Sequence, residues 1–283
     1  MVSLLSNPLA TSDQLASSPS QSDGLTPDLE VSLRWAGSTL IQSAGILLRL
    51  PQPTIATAII LFQRFYLLAS FRSFPVLATC HAALYLASKL TETPAKPRNI
   101  INVTKYLLKT PSASPVSPAQ KEAAEGEGAY VDEHMYLYHR TRLLDMETEI
   151  LKALGYQTHT GLPYTLTINY AQTLDCLSKP LLLRCFGYLT DALLSPSMLY
   201  LTHQPNALAA AALYLAARDE KVKLPEGWWE MFDVDREDLG FLVAGMKSVE
   251  EFVRSQKEAW GDGVPWDEKE LEDAVRKRLH GAE

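Results

Sequence analysis

Apolar residues along this chain recur every three or four positions, and the spacing predicts helices almost throughout. The pattern begins at Thr26-Pro27-Asp28. Thr can cap a helix, Pro suits its first turn, and the carboxylates of Asp28 and Glu30 suit the positive end of its dipole. Leu40, Ala44, Leu47 and Leu48 form one apolar face, ended by Pro51; Ile55, Ile59, Phe62 and Tyr66 form the next. Residues 77–90 are apolar nearly all round, which predicts a helix buried on every side. Pro97 opens a shorter helix through Leu107. Residues 109–128 break the pattern with Pro111, Pro115, Pro118, Gly126 and Gly128, and read as a mobile surface insertion. A long helix over 132–154 follows, closed by Gly155, a natural C-terminal cap.

The second half repeats the style, with helices expected at 163–177, 180–194, 204–218 and 236–255, and a charged amphipathic helix at 267–279. Alternating strands bounded by hairpin turns do not occur, so the expected fold is all-α. An internal repeat sets the architecture. Ala82-Ala83-Leu84-Tyr85-Leu86-Ala87 returns as Ala211-Ala212-Leu213-Tyr214-Leu215-Ala216, an offset of 211 − 82 = 129 residues. Each copy is followed by one residue and then a base, Lys89 or Arg218, and each lies in the third predicted helix of its half. So long a period means a duplicated domain rather than a solenoid. Mid-helix alanines let neighbouring helices approach closely, as a central helix ringed by four others requires. The expected organisation is a disordered N-terminal arm over 1–24, domains over 25–158 and 159–256, and a partly helical tail over 257–283.

Composition narrows the function. Of 283 residues 47% are hydrophobic, enough for real cores, and the net charge is −7 with no strongly basic stretch, which argues against a duplex-binding face. Cys80, Cys176 and Cys185 form no C-x-x-C pair and read as buried thiols. The first residues lack a basic and then apolar signal, and no apolar run reaches membrane-spanning length, so a soluble intracellular protein is expected. Catalytic patterns are poor. His134 and His139 are mis-spaced for a shared helical metal site, and phosphate-binding loops and nucleophile elbows are missing. His81 reads as a core histidine, and Trp228 and Trp229 as packing in a short helix. No catalytic residue, metal or cofactor is expected.

Two charges do not suit a passive core. Glu147 has Leu143, Leu144, Ile150 and Leu151 as its helical neighbours, so it must protrude to water or meet a cation from another chain. Lys89 sits at the end of the buried helix, beside Tyr85 and Leu86. There it can snorkel, stabilise the helix's negative end, or join Glu147 in a charged latch within an apolar docking surface.

These residues resemble a duplicated cyclin box. The cyclin Ala-Ser-Lys-x-Glu-Glu motif falls on Ala87 to Glu92, with Thr91 in place of its first Glu, and the Met-Glu-x-x-(Ile/Val)-Leu motif falls on Met146 to Leu151. The run Leu40 to Gln52, then Leu61-Phe62-Gln63-Arg64-Phe65-Tyr66, is similar to cyclin L. So are Tyr214 to Arg218 and Leu224-Pro225 with the Trp pair in the second half. The resemblance implies two tandem five-helix boxes and a non-catalytic subunit that binds and switches on a cyclin-dependent Ser/Thr kinase. It implies kinase contacts by Lys89, Glu147, Leu90, Glu92 and Leu151, and Lys89 and Glu147 close together on the first domain's surface. It further implies a transcription-linked partner of the PITSLRE class, a nuclear role in RNA polymerase II transcription or pre-mRNA splicing, and no direct nucleic-acid or membrane contact. A cyclin-box scaffold without kinase activation, and a TFIIB-like factor, are the alternatives; the acidic charge and the lack of a Cys cluster count against the second.

Overall fold

The computed structural model describes residues 6–109, 131–259 and 264–280; residues 110–128 of the expected insertion lie outside the described residues. The described residues are helical, without strands. In chain order the helices are α1 (Ser12–Ala16), α2 (Pro19–Ser22), α3 (Pro27–Leu47), α4 (Gln52–Leu68), α5 (Val76–Leu90), α6 (Pro97–Lys109) and α7 (Glu133–Ala153). There follow α8 (Tyr164–Thr173), α9 (Lys179–Ala192), α10 (Leu199–Thr202), α11 (Pro205–Asp219), a 3-10 turn at Trp228–Phe232, α12 (Arg236–Ala259) and α13 (Glu268–His280). None of the described helices is long and apolar enough to cross a membrane.

The chain divides into two compact units: Ser17–Thr158 with Val264–Glu283, and Met1–Ala16 with His159–Gly263. In the first, α5 is the axis. Eleven of its fifteen residues are buried, so it is enclosed on nearly every side, with α3, α4, α6 and α7 packed against it. Local chemistry sets the helix ends. Thr26 Oγ1 accepts from the Leu29 amide at 3.4 Å, and Asp132 Oδ1 accepts from the Met135 amide at 2.7 Å. Gly155, at φ +56°, takes the left-handed conformation that ends α7. Helices α3 and α4 touch backbone to ring: a Cβ on Gly37 would lie 2.2 Å from Phe62 Cζ, so only glycine fits. The Tyr66 hydroxyl, fully buried, donates to the Phe74 carbonyl at 3.0 Å, and its ring stacks on Phe71 at 3.6 Å, fixing the turn into α5.

In the second unit α11 is the corresponding axis. Ala207, Ala209, Ala210, Ala211 and Ala212 are buried in it, and α8, α9 and α12 pack around. Small side chains let the three helices pack closely around it. The two copies of the repeat thus occupy equivalent central helices.

The N-terminal end departs from the sequence-based expectation, while the helix expected near the C-terminus is present. Residues 6–24, expected to be disordered, contain α1 and α2. Asn7 is buried and acts as a backbone surrogate: its Nδ2 donates to the Gly161 carbonyl at 2.9 Å, and its Oδ1 accepts from the Gly161 amide at 2.6 Å. Its own backbone N–H and C=O pair with the Gln204 amide at 2.8 and 3.0 Å. Ser20 Oγ accepts from the Phe71 amide at 3.1 Å. Single polar side chains satisfying buried backbone groups leave no apolar period in the sequence, so pattern reading passes over them. The C-terminal helix α13 docks on the first unit. Glu272 takes a bidentate pair from Arg72 at 2.7 Å and Glu268 pairs with Arg142 at 3.1 Å, while Leu271 is buried.

His81 is a core histidine, as expected. It is buried, hydrogen-bonds through Nε2 with Thr104 Oγ1 at 2.6 Å, and faces the His139 ring at 6.1 Å. Burial, with a smaller contribution from His139, lowers its pKa to about 3. The unfolded chain, titrating near ~6.5, therefore binds this proton before the native state does, and stability falls as pH drops below about 6.5. The slope contributed is up to about 1.4 kcal/mol per pH unit, ending only as pH approaches 3. Urea unfolding of the parent and His81→Gln between pH 7 and 4 is expected to show a shallower acid loss in the variant; parallel curves would contradict the assignment.

Candidate functional site

Glu147 lies on α7 between buried residues, Leu143, Met146 and Ile150, which turn that face of the helix into the core. Its carboxylate cannot reach bulk water freely; the side chain is 11% exposed. Lys89 projects from the last turn of α5, where its positive charge suits the helix's negative end, and forms an ion pair with Glu147. The Lys89 ammonium also lies 4.4 Å from the centre of the Tyr85 ring, one turn back. Lys89 is 42% exposed, so the pair has a buried acid and an outward-facing base. The cation that meets Glu147 therefore comes from its own chain rather than from another, and the two residues do lie together on the first unit.

Apolar residues surround the pair. Leu90, beside Lys89, is 42% exposed. Leu137 and Leu144 on α7 are 50% and 37% exposed, and Leu151 is half-buried. These three leucines are seven residues apart, which is close to two helical turns, so they form one stripe along α7 beside Glu147. Glu92 falls just beyond the end of α5, exposed, with φ +55°. Thr91, where the motif has Glu, turns inward: its Oγ1 donates to the Ala87 carbonyl at 2.9 Å and lies 2.8 Å from Thr54 Oγ1 and 3.0 Å from Thr93 Oγ1. This hydroxyl cluster anchors the turn after α5. Ser88 supports it by accepting from the Ala95 amide at 3.2 Å. The chain thus replaces an outward carboxylate with a packing contact.

The structure brings Lys89, Glu147 and Leu151 to one surface and leaves Leu90 and Glu92 at the edge of α5. Sequence reading placed Tyr85 beside Lys89 but missed Leu137. The seven-residue leucine spacing on a helix already otherwise charged was the available signal. Chemically, the site offers no nucleophile and no acid–base dyad; it offers a hydrophobic strip around a fixed charge pair. Among the described residues no group of His, Cys, Asp or Glu is arranged to hold a metal ion.

The family model described as "Cyclin, N-terminal domain" matches residues 9–159. Human cyclin-L2 is 32% identical over 282 residues, covering 99% of this chain and 50% of its own. Zebrafish (Danio rerio) cyclin-L1 is 33% identical over 240 residues, covering 83% and 45%. The chain spans about half the length of the curated relatives it matches. Among solved structures, a chain of the yeast RNA polymerase II CTD kinase CTDK-1 complex superposes with a TM-score of 0.67 at 16% identity, covering 95% of this chain and 89% of its own. A chain of the Chaetomium thermophilum CAK complex bound to ATP-gamma-S gives 0.54 at 17%, covering 90% and 73%.

Proposed function

Because this chain belongs to the cyclin family, we propose that it is a regulatory subunit that binds a cyclin-dependent Ser/Thr kinase and switches it on. The observation that carries this reading is the Lys89–Glu147 pair, set among the exposed Leu90, Leu137 and Leu144. Exposed leucines are costly in water and favour association, and an oriented charge pair at their centre fixes the register of whatever docks.

The mechanism is allosteric. A cyclin-dependent kinase alone holds its activating helix displaced, so its ATP-positioning Lys–Glu pair and metal-binding Asp are misaligned. A surface complementary to the active placement of that helix binds the active state more tightly, and this difference in affinity shifts the population. The leucine stripe would contact the apolar side of the kinase helix, with Lys89 and Glu147 gripping polar groups at its end.

Similarity to cyclin-L1 and cyclin-L2, and the fold shared with a chain of an RNA polymerase II CTD kinase complex, favour a transcription-linked partner, PITSLRE-like, working in the nucleus on transcription or splicing substrates. Purifying the tagged chain from its own cells tests the reading. A cyclin-dependent kinase is expected at near-stoichiometric yield and retained through high-salt washing. A chain that is folded but recovers no kinase contradicts the proposal.

A further inference from the structure

We propose that the second unit carries a docking pocket for an extended, proline-containing segment of a protein partner, held by an aromatic wall and by Arg218 pairing with one Asp or Glu carboxylate of that segment. The pocket is a cavity of about 280 Å³ open to the surface, with Tyr214, Arg218, Leu224, Pro225, Trp228 and Trp229 among its lining. Trp228 is buried and meets Trp229 edge-on, their ring centres 6.2 Å apart. That contact makes a firm wall on which Trp229 remains half-exposed.

The internal repeat supplies the decisive comparison. Tyr214 and Arg218 stand in α11 where Tyr85 and Lys89 stand in α5, offset by the same 129 residues, 214 − 85 and 218 − 89. In the first unit the cation over its tyrosine is neutralised by Glu147. In the second no ion pair joins Arg218 to a carboxylate among the described residues, and no carboxylate lines the cavity. The adjacent acids are engaged elsewhere: Asp219 accepts from the Tyr188 hydroxyl at 2.5 Å, and Glu220 pairs with Arg184 at 3.4 Å. The duplicated position has kept its base and its aromatic neighbour without an anion among the described residues, which leaves the guanidinium available to a partner's carboxylate.

The shape and charge choose the occupant. Aromatic grooves suit proline-rich segments, because a polyproline II helix is already extended and loses little freedom on docking. A lone guanidinium, with no second cation in the lining, matches one carboxylate bidentately, and the overall charge of −7 disfavours a dianion. The lining of the pocket shares no residue with the Lys89–Glu147 site, so its occupant is independent of the kinase reading.

The test is peptide display on the intact chain, with Arg218→Gln as the counter-selection target, followed by tryptophan-fluorescence titration of the most enriched peptide. Enriched peptides are expected to carry a proline within a few residues of Asp or Glu. The titration should weaken about tenfold in Arg218→Gln, the loss of one charge-assisted pair, and at least as much in Trp229→Ala. Arg218 is exposed, so its variant keeps the fold, checked by its melting temperature, and carries the test even where Trp229→Ala unfolds. No enrichment over the counter-selection target, enriched peptides without acids, unchanged affinity for Arg218→Gln, or tighter binding of a phosphoserine analogue overturns the proposal.

Discussion

Replacing Glu30 by alanine is expected to destabilise the first unit by about 3–5 kcal/mol, the cost of leaving a buried cation without its partner. Glu30 and Arg34 are both buried on α3 and joined at 2.5 Å. Burial lowers the Arg34 pKa, and the charge and hydrogen bond of Glu30 oppose that shift, so the acid is what keeps the buried guanidinium tolerable. Glu30 also accepts from Ser18 Oγ at 2.7 Å and Gln21 Nε2 at 3.0 Å, which holds α2 in place. Urea unfolding gives the magnitude. Combining Glu30→Ala with Arg34→Met should recover much of the loss, because the second change removes the buried cation that the first leaves uncompensated. A single-variant effect below about 1 kcal/mol, the size of a surface pair, would mean that the site is wetter than its burial implies.

Lys89→Ala or Glu147→Ala should each weaken kinase binding by roughly thirty-fold or more. In the complex the pair loses its remaining water, and removing one member leaves the other uncompensated, which costs ~2–5 kcal/mol; ~1.4 kcal/mol is tenfold. The free protein should tolerate both changes, because Lys89 is already outward-facing and its loss opens Glu147 to water. The double variant should lose less than the sum, since the two charges act as a unit. Arg218→Ala, at the equivalent position of the second unit, should leave kinase binding nearly unchanged. Isothermal titration with purified kinase provides these values. Parent-like binding by both single variants would remove the latch from the mechanism, and unfolding would make the pair a structural contact.

What the sequence made legible follows from which forces leave a periodic trace. Helices α5 and α11 were readable because a fully enclosed helix must be apolar all round and alanine-rich where neighbours approach. The ends of α3 and α7 were readable from Thr26, Asp132 and Gly155, whose chemistry is local. Glu147 and Lys89 stood out as charges that a core could not hold alone. The N-terminal segment was not legible, since Asn7 and Ser20 act singly on backbone groups distant in sequence. Nor was the docking of α13, which depends on ion pairs between Arg72 and Glu272 and between Arg142 and Glu268, where any charged surface helix looks alike. Thr91 looked like a lost carboxylate, and only its contacts with Thr54 and Thr93 show it packed inward.

Activation, more than binding, separates a regulatory subunit from a scaffold that shares its fold. The decisive measurement is the initial rate at which the purified partner kinase phosphorylates a Ser-Pro peptide, with and without a saturating amount of this chain. Shifting a kinase from a mostly inactive to a mostly active population should raise the rate by about 100-fold or more. Glu147→Ala should need a much higher concentration to reach the same maximum. A kinase that binds the chain tightly yet phosphorylates the peptide no faster would contradict the account.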